Sequence, residues 1–240
     1  MEVQADGDTA RVRTTIDAST GSDVLEQHVV TFGPGRSAER GEPGRDEILY
    51  VISGEGTLLL DGERHALAPD TGVYVRGGER WAVENDGPAD VKVLAVSAPA
   101  EGGEAPGRRV TVRFADQPEL RADANRTFRY LVNEDAGCAT VTQFVGVVQP
   151  CRAPDHSHSY DEVGYIVEGR GLAHVGGESM PLESGSVFYL PPEQVHCIEN
   201  VGPEVMRILG VFHPSGDPAS RVYDAAAGPA GDTAGRGDAS

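Results

Sequence analysis

Three histidines and one glutamate stand out by their spacing. His156-Ser157-His158 is followed by Glu162 and Gly169, and a later cluster holds Gly185, Pro191, His196 and Asn200. On a strand, His-x-His turns both rings to one face, because side chains alternate with a period of two. Glu162 follows His158 by four positions, room enough for a bend into the next strand. His196 arrives from a later hairpin. Three imidazoles and a carboxylate so placed can close around one divalent transition metal ion, leaving about two positions open if the ion is octahedral. Open positions suit a catalytic site, and Glu162 is also a candidate general base.

The elements that must position these groups read as short strands. The chain has 240 residues with 31 Gly and 16 Pro, which cut it into short β-branched runs, an all-β pattern. Strands are expected near 10–17, 26–32, 47–52, 57–60, 73–75, 81–84 and 91–96, then 109–114, 127–132 and 141–148. Asp61-Gly62 marks a two-residue hairpin turn. A register of 115 positions relates the halves: Glu47 to Glu162, Gly54 to Gly169, Gly56 to Gly171, Glu84-Asn85 to Glu199-Asn200, and Gly87-Pro88 to Gly202-Pro203. A register carried by turn-forming residues over so long a stretch indicates tandem duplication. The division expected is a flexible N-terminus over 1–9, a first barrel over 10–98, a linker over 99–108, a second barrel over 109–214, and a disordered Ala-, Gly-, Asp- and Pro-rich tail over 215–240.

The two clusters resemble the paired signature motifs of the cupin superfamily, and two copies make the chain similar to a bicupin. The resemblance implies two tandem jelly-roll β-barrels. It implies His156, His158, Glu162 and His196 as metal ligands, with Fe(II) favoured and Mn, Ni, Co or Zn as alternatives. Glu193 departs from the second motif, which usually has Gly there. The first copy lacks the ligands: its equivalents are Gly41 and Pro43 counted back from Glu47, or Arg40 and Glu42 counted from Pro34, and Trp81 stands at the position of His196. One metal per chain, in the second barrel, is therefore expected. The superfamily includes dioxygenases as well as isomerases, decarboxylases and hydrolases. The reading favoured is a dioxygenase acting with O2 on a small enolisable or chelating oxygenated metabolite. The alternatives are a non-redox isomerase, cyclase or decarboxylase, and a small-molecule-binding regulatory protein.

Tyr160, Tyr165, Tyr189, Gln143 and Arg152 are candidates for the pocket. Cys197 should point away from His196, to the opposite face of its strand. The net charge of −18 argues against a nucleic-acid partner. No secretory leader and no apolar run long enough for a bilayer are visible, and three irregularly spaced cysteines form no disulfide framework. A cytoplasmic monomer or homodimer is the setting expected.

Overall fold

The computed structural model describes residues 2–100, 107–220 and 222–223, and these are almost entirely strand, turn and loop. Each half forms two sheets. In the first half the larger sheet is ordered Ala10–Ile16, Glu26–Phe32, Val91–Pro99, Arg45–Ser53, Thr71–Val75 and Thr111–Arg113. The smaller is ordered Gly35–Arg36, Trp81–Asn85, Gly56–Leu60 and Glu63–Leu67. The second half repeats the plan. Its larger sheet runs Leu120–Arg121, Arg126–Val132, Thr142–Val148, Met206–His213, Asp161–Glu168 and Val187–Leu190. Its smaller sheet runs Glu178–Glu183, Arg170–Val175, His196–Asn200, His156–Ser157 and Val222–Tyr223, with Cys151–Arg152 also on His196–Asn200.

Local chemistry explains the shared turns. Asp61 and Gly62 both have positive φ, 47° and 89°, as a hairpin turn matched to strand twist requires. Gly54 and Gly169 lie in the left-handed region, and a Cβ on them would stand 2.3 Å from the Asp90 carbonyl oxygen and 2.9 Å from the Met206 Cα. No other residue fits either place.

The two larger sheets pack against each other. Their facing side chains form one buried cluster with ten residues from each half, including Ile48, Tyr50, Leu94 and Val96 opposite Leu131, Val145, Val163 and Leu209. Burying one such side chain contributes about 1.5–3 kcal/mol. The two barrels therefore share one apolar core, and parting them would expose part of it to water. Gln143 Nε2 donates to the Leu49 carbonyl at 3.3 Å, Thr140 Oγ1 to Asp46 Oδ2 at 3.0 Å, and Arg207 to Asp70 Oδ1 at 2.8 Å, so polar groups cross the interface as well.

The ends of the expected units are redrawn. Thr111–Arg113, assigned from sequence to the second barrel, pairs instead with Thr71–Val75 of the first. The N-terminal residues described are not loose: Val3 bridges Val12, and Asp8 accepts from Ala10 N and Ala38 N at 3.1 and 3.0 Å. The tail is ordered at its start, with Ser215–Ser220 packed on the second barrel and Val222–Tyr223 paired to His156–Ser157. Most of the linker, 101–106, and the rest of the tail, 221 and 224–240, lie outside the described residues.

Candidate metal centre

Two strands of the smaller second sheet bring the histidines together. His156 and His196 are direct partners across antiparallel strands, and His158 follows two residues on. The ring centroids are 4.5 Å apart for His156–His196, 4.9 Å for His156–His158 and 5.4 Å for His158–His196. One nitrogen from each lies within 4.8 Å of the others. Glu162, on the opposing large sheet, places Oε2 3.8 Å from His158 Nε2 and 4.0 Å from His196 Nε2. All four side chains are buried. Glu193 N donates to the His158 carbonyl at 2.7 Å, which ties the two motifs together. Glu193 does so with φ of 64°, the conformation that the usual glycine would adopt freely.

The far nitrogens are committed to carbonyl acceptors. His156 Nδ1 donates to the Pro154 carbonyl and His196 Nδ1 to the Gln194 carbonyl, each at 2.9 Å. His158 Nδ1 donates to the Ser220 carbonyl at 3.2 Å and to the Tyr160 hydroxyl at 3.0 Å, and Tyr160 passes its own proton to the Asp217 carbonyl at 3.1 Å. An Nδ1–H so engaged leaves Nε2 with its lone pair, and the three Nε2 atoms and the carboxylate make a donor set that suits a divalent cation.

A cavity of about 90 Å³ opens on this group. Phe128, Phe144 and Phe212 form one wall, Val148 and Ile198 another, with Arg126 as the cation among the lining residues. Arg126 is held by both nitrogens of its fork on Asp123 Oδ2, one of them at 2.6 Å. Of the tyrosines expected here, Tyr160 stacks on His158 with centroids 4.8 Å apart but does not line the cavity. Tyr165 and Tyr189 belong to the interface cluster between the barrels, and Gln143 points the same way. Arg152 lies outside, donating to Cys197 Sγ at 3.4 Å. The reason is strand parity: Tyr165 is three residues from Glu162, hence on the opposite face, and Gln143 alternates with Phe144, which faces inward. The cavity residues missed, Phe144, Gly146 and Val148, follow from the same alternation. Cys197 is turned from the histidines as expected, and burial pushes its thiol up.

The first barrel fills the equivalent space with side chains. Arg40 bridges Trp81 as His156 bridges His196, which selects the register counted from Pro34. Its guanidinium lies 5.4 Å from the Phe32 ring centroid and 6.0 Å from that of Trp81, and binds Asp8 Oδ2 at 2.5 Å. Glu47 remains at the position of Glu162, with its carboxyl pushed up by burial against the opposing pull of Trp81 and of the Arg40 charge. The interior is one continuous apolar cluster running from Ala10 to Ala95. In the second barrel the interior splits into two clusters on either side of the cavity.

Fold and site together define a tandem double-stranded β-barrel protein with a three-histidine centre in its second barrel. The Cupin domain family model matches residues 28–97 and 144–212. The chain belongs to that family. It is 38% identical over 60 residues to the uncharacterized protein MJ1618 of Methanocaldococcus jannaschii, a match covering 25% of this chain and 48% of that protein. The chain spans about half the length of the curated relatives it matches. Among solved structures it resembles the Bacillus subtilis oxalate decarboxylase, studied for its Mn(II) centres (TM-score 0.70, 16% identity, 93% of this chain and 77% of that one). It also resembles the salicylate 1,2-dioxygenase of Pseudoaminobacter salicylatoxidans in complex with gentisate (TM-score 0.70, 12% identity, 87% and 75%). Likeness at such identities speaks for the fold. Among the described residues no helix is long and apolar enough to cross a membrane.

Proposed function

We propose that the chain is a metal-dependent enzyme with one divalent transition metal held by His156, His158, His196 and Glu162. The observation that carries this reading is the convergence of one nitrogen from each of three imidazoles within 4.8 Å while each Nδ1 is occupied by a carbonyl. Three neutral imidazoles and one carboxylate leave about one positive charge on a divalent ion. When bound, the metal supplies Lewis acidity and, as Fe(II), reactivity with O2. The protein does the rest. The phenylalanine wall excludes water and takes an apolar or aromatic body. Arg126, already paired with Asp123, keeps further N–H groups for a polar group of the substrate, and Glu162 is placed to accept a proton from a substrate drawn to the metal. A small enolisable or chelating oxygenated metabolite fits these terms, and dioxygenation is the reaction favoured. The first barrel, with Arg40 and Trp81 in the ligand positions, holds no metal in this reading and acts as a scaffold. A second reading, non-redox cleavage or isomerisation with the same donors, rests on Lewis acidity alone.

Oxygen uptake separates the two readings. Fe(II)-loaded protein, offered a panel of small catechols, enols and α-hydroxy ketones, consumes O2 only with substrate and metal both present if it is a dioxygenase. Turnover of the same panel at an unchanged rate without O2 would replace that reading with the second.

A further inference from the structure

His156 and His196 are oriented locally, because each donates to a carbonyl two residues before it. His158 is not. Its Nδ1 donates to Ser220, 62 residues along the chain, and to Tyr160, whose hydroxyl is in turn committed to Asp217. We propose that the C-terminal segment, residues 215–220 with 222–223, is a positioning strap of the metal centre that acts on His158 directly and through Tyr160. The inference rests on the metal-binding reading above and extends it to a segment that its composition marks as tail.

The strap is fastened at several of its described residues. Ser215 Oγ and Thr142 Oγ1 are 2.7 Å apart, and Gly216 N donates to the same Thr142 oxygen at 3.1 Å. Asp217 Oδ1 accepts from the Tyr130 hydroxyl at 3.2 Å and from Ala219 N at 2.8 Å. Ser220 N donates to the Asp217 carbonyl at 2.9 Å, a turn that aims the Ser220 carbonyl back at His158. Gly216 lies against Tyr160 so closely that a Cβ there would stand 2.4 Å from the ring. Beyond the turn, Val222 pairs with Ser157, between the two histidines of the motif. Pro218 lines the cavity itself. The strap thus fixes one ligand and closes one wall, and Tyr160 is its positioning residue. An Nδ1 partner orients the ring and raises its basicity, and loss of such partners weakens metal binding by about 10–100-fold.

Co(II) titration of tag-free apoprotein tests this, with the visible ligand-field spectrum and the apoprotein melting temperature as companion readouts. Four variants are compared with the parent chain: one ending at Tyr223, one ending at Pro214, Tyr160→Phe and His158→Ala. The chain ending at Tyr223 should bind as the parent does. The chain ending at Pro214 should bind about 10–100-fold more weakly with an altered Co(II) spectrum, and Tyr160→Phe about tenfold more weakly with its apoprotein still folded. Unchanged affinity and spectrum in the chain ending at Pro214 would overturn the proposal. If that chain does not fold, Tyr160→Phe decides, and its unchanged affinity and spectrum overturn it. A parent that binds no Co(II), or His158→Ala that binds as the parent does, would instead overturn the metal reading beneath.

Discussion

Arg40→Ala tests whether Arg40 is the structural charge that fills the first barrel. In the folded chain Arg40 donates to Asp8 at 2.5 Å and to the Ala38 carbonyl at 2.7 Å, and its guanidinium rests near Phe32 and Trp81. Its side chain is 20% exposed and that of Asp8 only 7%. Removing one partner of a buried pair costs about 3–5 kcal/mol, since the other charge stays behind uncompensated. The residual exposure of Arg40 lets water recover part of this, and two backbone donors still hold Asp8. A loss of about 3 kcal/mol follows. At about 2–4 °C per kcal/mol for a chain of this size, the melting temperature falls by about 6–12 °C. Asp8→Asn combined with Arg40→Met should recover part of the loss, because both charges then leave together. The assay is thermal unfolding of each variant beside its metal content. A fall smaller than about 2 °C would refute the role of Arg40 as the charge that fills the first barrel. A fall in metal content in the folded variant would show instead that the first barrel shapes the metal centre of the second.

Glu193→Gly should raise stability by about 1 kcal/mol, or about 2–4 °C, because Glu193 is held at φ of 64°, where L-residues pay roughly 1–2 kcal/mol. An unchanged or lower melting temperature contradicts that. Burial pushes the Asp8 carboxyl up, yet the Ala38 and Ala10 amides and Arg40 outweigh it and hold the group below the usual carboxylate range. A depressed folded-state pKa stabilises above the unfolded value of about 4 and is lost as pH falls through the folded one. Asp8→Asn should therefore lose its deficit relative to the parent between about pH 5 and the acid limit, and a deficit constant with pH would contradict this. Tyr165→Phe should leave kcat/KM within about twofold, since its ring lies in the interface between the barrels. A loss of about tenfold or more would return Tyr165 to the site.

The duplication and the three histidines were legible because both rest on spacing. A repeat in turn glycines such as Gly54 and Gly169 records backbone geometry directly. The cavity wall was less legible, because cavity lining depends on which face of a strand looks inward. Chemistry drew attention to Gln143 and Tyr165, while Phe144 and Phe212, apolar and unremarkable as residues, make the wall. Two registers were open for the ligand positions of the first copy, and the pairing of Arg40 with Trp81 chooses between them. The order at the start of the tail is not legible in composition, for a physical reason. Ser215 to Ser220 is held by hydroxyls, carbonyls and amides rather than by buried apolar side chains, and composition does not record such anchoring.

Metal stoichiometry tests the central claim most directly. Elemental analysis of protein purified without a metal-binding tag should give about one transition-metal ion per chain. His156→Ala, His158→Ala and His196→Ala should each bring it towards zero, and Trp81→Ala should leave it at one. Two ions per chain, or one ion that survives loss of any of these histidines, would contradict a single centre in the second barrel.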